Sequence, residues 1–117
     1  MKKPFELTPE NTFPVIKKAI EERTLARYHG KNCKYVYKGD PTLSCAIGVC
    51  LPVELREEIK DAGENSSRVT ELLANKYIKA SADLISDLAE IQLSHDDYID
   101  NERFANIVNN LAAKWGQ

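Results

Sequence analysis

Long hydrophobic runs are missing from this chain. No stretch approaches the ~20 apolar residues of a membrane span, so an integral membrane protein is not expected. The opening Met1-Lys2-Lys3-Pro4 has the charge of a signal peptide, but Phe5-Glu6-Leu7-Thr8-Pro9-Glu10 supplies no apolar segment behind it. Cysteine is scarce: three residues, an odd number, with no spacing of a disulfide scaffold. Few thiols and no leader predict a soluble protein of a reducing, cytoplasmic compartment. Internal repeats, low-complexity tracts and long linkers are absent as well, and 117 residues suit a single domain spanning residues 1–117. Excess positive charge is lacking too. The net charge is −2, and an acidic larger half argues against a nucleic-acid binder, which would normally show a basic footprint.

What is present reads as a globular protein, with 43% hydrophobic and 29% charged residues. The charge is unevenly placed. Residues 1–40 carry nine Lys/Arg against five Asp/Glu, net +4, and residues 41–117 carry seven against thirteen, net −6. Such asymmetry points to a partner surface, set against the plainer reading of two solvated faces.

Periodicity predicts a mainly α protein of about five helices with one short β-strand or small β-hairpin. Phe13, Ile16 and Ile20 recur at helical spacing, which places a first helix near residues 12–26; Thr8-Pro9-Glu10 or Thr12 can begin it, and Thr12 is the better N-cap, since Pro14 suits only a first turn. Residues 33–38 alternate with period two and read as a strand. Residues 43–51 are apolar and short, a strand or, better, a short buried helix or turn that Ser44 would cap. Helices follow over residues 53–62, from Ser67 to Ala80, and from Ser81 to about residue 97. A last one opens at Asn101 and closes at Gly116.

The chemistry-bearing residues converge on two places. Cys45 precedes a distant His95 and Asp96, the residue types of a thiol nucleophile, its base and an orienting carboxylate. A helix begun at Ser44 would put Cys45 at its N-terminus, where the dipole lowers a thiol pKa. Against this, Leu43, Ala46 and Ile47 make a core neighbourhood, and free cysteine is among the most buried residue types. Cys33, Cys45, Cys50 and His95 are all possible zinc ligands, but no C-x₂₋₄-C knuckle joins them, so no metal and no cofactor are expected. At ~100° per residue His95 falls inside the apolar stripe of Leu84, Leu88 and Ile91. Asp83, Asp87, Glu90 and Asp97 fall on the flank of the same helix, at about −60° to −140° from Leu84. With Asp100 beyond, they form an acidic ridge, either a solvated face or a docking surface for a basic partner.

The pattern Cys33-x-Tyr35, then Cys45-Ala46-Ile47-Gly48 with Pro52 after it, then Gln92-x-x-His95-Asp96 resembles that of small phage and prophage proteins. This chain departs from it in having Val36 where arginine is usual and Ile91 where leucine is usual. The resemblance implies that Cys45, Gly48, Gln92, His95 and Asp96 belong to one structural unit, and it transfers no catalytic residue. It also brings the analogy of mobile elements, where immunity proteins and antitoxins are common. The expected function is a small bacterial inhibitor that binds another protein, such as a toxin or nuclease domain with a basic surface. Neither nucleic acid nor membrane is an expected partner. The alternative is a small thiol enzyme built on Cys45 and His95.

Overall fold

Residues 4–22, 35, 44–65, 67–96 and 101–117 are described by the structure, a computed structural model. In chain order they form β1 (Phe5–Glu6), α1 (Pro9–Glu22), a 3₁₀ turn (Gly48–Cys50), α2 (Val53–Asp61), α3 (Val69–Ala74), β2 (Ile78–Lys79), α4 (Ala82–Asp96) and α5 (Asn101–Lys114). The architecture is mainly α, and its radius of gyration of 12.9 Å is that of one compact unit of this length.

The caps explain where the helices sit. Thr8, not Thr12, begins α1: its Oγ1 accepts from the Asn11 amide (3.2 Å) while Asn11 Oδ1 accepts from the Thr8 amide (2.8 Å). This reciprocal pair, with Pro9 at the first helical position, outweighs the missing N–H of Pro14 inside the helix. Residues 23–26, where the first helix was expected to continue, lie outside the described residues. Ser67 is likewise not the cap of α3. Arg68 is, with its amide donating to Glu71 Oε1 at 2.9 Å. Ser81 caps α4 as expected, its Oγ accepting from the Leu84 amide.

One expected helix splits. The segment from Ser67 to Ala80 turns after Ala74, because Lys76 adopts a left-handed φ of 65°. There the Tyr77 amide reaches the Leu72 carbonyl and the Lys76 amide reaches that of Leu73, a Schellman closure. Gly63 and Gly116 close α2 and α5 in the same way with the residue type that tolerates such a φ. The turn at Lys76 frees Ile78 and Lys79 to pair in parallel with Phe5 and Glu6. The small sheet is therefore not the hairpin expected around residues 33–38, which apart from Tyr35 lie outside the described residues.

Helix α1 packs on α5 and on the 3₁₀ turn, and α4 packs between α3 and α5. The core gathers Phe13 and Ile16 of α1, residues 45–47, Leu72 of α3, Leu88 and Ile91 of α4, and Phe104 and Val108 of α5. No helix of the described residues is long and apolar enough to cross a membrane.

Candidate functional site

Tyr35, Gly48 and Gln92, one from each part of the sequence pattern, come together inside the protein. Residues 44–51 hold a tight turn from Gly48 to Cys50, in line with the expected short helix or turn, although its N-cap is Ile47 rather than Ser44. A β-carbon added to Gly48 would lie 1.7 Å from Ser44 Oγ and 3.2 Å from Cδ1 of Tyr35, so only glycine fits. Tyr35 is fully buried, and its hydroxyl donates to the Ser67 carbonyl at 2.6 Å. The same oxygen accepts from Gln92 Nε2 at 3.0 Å, and Gln92 Oε1 accepts from the Val69 amide at 2.7 Å. Gln92 on α4 thus caps α3 from a distance and ties it to Tyr35.

Cys45 is buried and disulfide-bonded, which corrects the expectation of free thiols. A disulfide sulfur has no proton to lose, so in this state Cys45 offers no thiolate for attack. It also precedes the 3₁₀ turn by three residues, and the Gly48 amide donates to its Sγ at 3.3 Å. His95 lies inward as its helical position predicts, with its ring 5.2 Å from that of Phe104. The side chain of Asp96, together with Cys33, Asp97 and Asp100, lies outside the described residues.

Among the described residues, Cys50 is the free thiol. It is buried and shares its proton between the carbonyls of Thr12 and Ala46. Burial pushes its pKa up to about 12, against a smaller opposing pull from the Arg56 charge. Arg56 is held under the 3₁₀ turn by the carbonyls of Leu51 (3.0 Å) and Val49 (3.4 Å), and burial pulls its own pKa down. No group of three His, Cys, Asp or Glu side chains among the described residues is placed to hold a metal ion.

The acidic ridge divides. Asp83 and Glu90 are exposed, but Asp87 is buried, contrary to the expectation that it faces solvent. Its position nearest the apolar stripe puts it under the end of α5. There Oδ2 accepts from Trp115 Nε1 at 2.8 Å and Oδ1 accepts from Lys114 Nζ at 3.1 Å. Around this tie opens a cleft of about 360 Å³ lined by Asp83, Ser86, Asp87, Lys114 and Trp115.

A second acidic face went unread in the sequence. Glu54, Glu57, Glu58 and Asp61 follow i, i+3, i+4, i+7 spacing and so share one stripe of α2. Next to it, a groove of about 320 Å³ runs between β1 and α2, lined by Pro4, Phe5, Glu6, Pro52, Glu54, Leu55 and Glu58. The spacing was the available signal, but only the packing of β1 reveals the groove.

Comparison of the chain with protein-family models, with curated proteins and with solved structures finds no match.

Proposed function

We propose that this protein binds and inhibits another protein, most concretely as a toxin-neutralising immunity protein or antitoxin of a bacterium or phage. The observation that carries the reading is the pair of exposed carboxylates, Asp83 and Glu90, on the helix beside the half-exposed indole of Trp115. A toxin that cuts nucleic acid needs a basic cleft to hold its polyanionic substrate. A carboxylate-bearing helix with an aromatic neighbour is complementary to such a cleft, speeding encounter by charge and anchoring by the ring. The thiol-enzyme alternative gains no support, because Cys45 is held as a disulfide.

The proposed compartment is the cytoplasm. Disulfides are rare in that reducing compartment, so an inhibitor working there must keep its fold with Cys45 reduced. The functional test is co-expression with a basic toxin domain encoded beside the gene. The wild-type chain should restore growth, and the Asp83→Lys, Glu90→Lys double variant should not. Association of the purified pair should slow about tenfold at low salt, with the difference shrinking as salt screens it. Full protection and unchanged association by the double variant would refute the reading.

A further inference from the structure

The groove between β1 and α2 has a chemistry of its own. Its floor is apolar, from Phe5, Leu55 and Pro52, and its rim carries Glu6, Glu54 and Glu58, continued along α2 by Glu57 and Asp61. The parallel register sets Lys79 opposite Glu6, which offsets part of one rim charge. Tyr77 is pushed up in pKa by burial first, then by a hydrogen bond to Glu64 and by the charges of Glu64 and Glu58. Val53, at the start of α2, is 36% exposed and adds to the apolar surface of that helix end.

We propose that this groove docks a basic, aliphatic segment of a partner protein. One aliphatic side chain rests on Phe5 and Leu55, and flanking Lys or Arg side chains reach Glu54 and Glu58. The volume of about 320 Å³ is at the low end of ligand pockets, which suits side chains rather than a folded domain. Charge complementarity selects the occupant: a polyanion is repelled by this rim, whereas a cationic segment is drawn to it. The apolar floor demands more than charge, which separates such a segment from a simple polycation. The inference extends the partner-binding reading but uses a face other than Asp83 and Glu90, so the two fail separately.

The test is fluorescence anisotropy with a labelled synthetic peptide of alternating leucine and lysine, alongside counterparts with glycine for leucine or glutamate for lysine. The Leu–Lys peptide should bind and weaken as salt rises, and the Glu peptide should not bind. Glu54→Lys combined with Glu6→Lys should weaken binding at least tenfold, while Asp83→Lys should change it less than twofold. On the unsubstituted protein, amide shifts on titration should centre on Phe5, Glu6 and Leu55, which avoids reliance on any variant folding. The proposal is overturned by no binding, by equal binding of the Gly–Lys peptide, or by equal loss in Asp83→Lys. Dimerisation of the chain abolished by Glu54→Lys would also overturn it, by making a second copy the occupant.

Discussion

Ser44 Oγ occupies the space that a β-carbon on Gly48 would need, 1.7 Å from its ideal position. The two residues are a turn apart in a fully buried segment, so neither can move without displacing core. The Cys-Ala-Ile-Gly motif is therefore a packing device: glycine at its end admits the serine just before its start.

Gly48→Ala should destabilise the protein by about 1–3 kcal/mol through overpacking. Ser44→Ala removes the closest clash, so the double variant should be less destabilised than the sum of the two single variants. Urea unfolding of all four members of the cycle reads this coupling. Strict additivity would show that Ser44 is not what excludes a side chain at 48.

Replacing Gln92 with methionine keeps the volume but leaves the Val69 amide without its acceptor and the Tyr35 oxygen without a donor. A cost of about 1–3 kcal/mol is expected. Hydrogen exchange should quicken first at Val69 and through the six residues of α3. Uniform quickening across all helices would mean Gln92 acts on the whole core rather than as a remote cap.

Lys114 and Asp87 should differ in weight within the α4–α5 tie. Lys114 is 60% exposed, so Lys114→Ala should cost under ~1 kcal/mol, as surface ion pairs do. Asp87→Ala strands the Trp115 indole N–H and should cost more, about 1–3 kcal/mol. Thermal melts rank them, and equal effects would show that the salt bridge dominates.

Alkaline pH should loosen the protein through Cys50. An acid whose pKa is higher in the folded state keeps its proton there after the unfolded chain has released it. Its contribution is thus complete below pH 9.0 and is lost as pH rises towards about 12. Tyr77, also raised, adds to the same fall. Cys50→Ala retains Tyr77, so its stability profile should decline less steeply than wild type over that window. Identical slopes would put the titration elsewhere. The native thiol should also resist alkylation near neutral pH, because the thiolate is the reactive form.

Much of the fold was legible. The apolar spacing of Leu84, Leu88 and Ile91 turned His95 inward, and Gly63 and Gly116 marked the ends of α2 and α5. These signals are local, set within one or two turns of helix. Lys76 misled because its left-handed turn is made without glycine, through carbonyls of the preceding helix that a residue-by-residue reading does not weigh. The site was less legible. Asp87 has the spacing of an exposed ridge residue, yet the ammonium and indole that bury it lie 27 and 28 residues away.

By itself, then, the sequence determined most of the helices and their inward stripes, because these follow from periods of a few residues. Only the tertiary structure decided which carboxylates stay in water. Asp87 was taken inward by α5, and Glu54 and Glu58 were set on the rim of a groove by the pairing of β1 with β2. That outcome depends on which distant elements pack together, and no local period carries it.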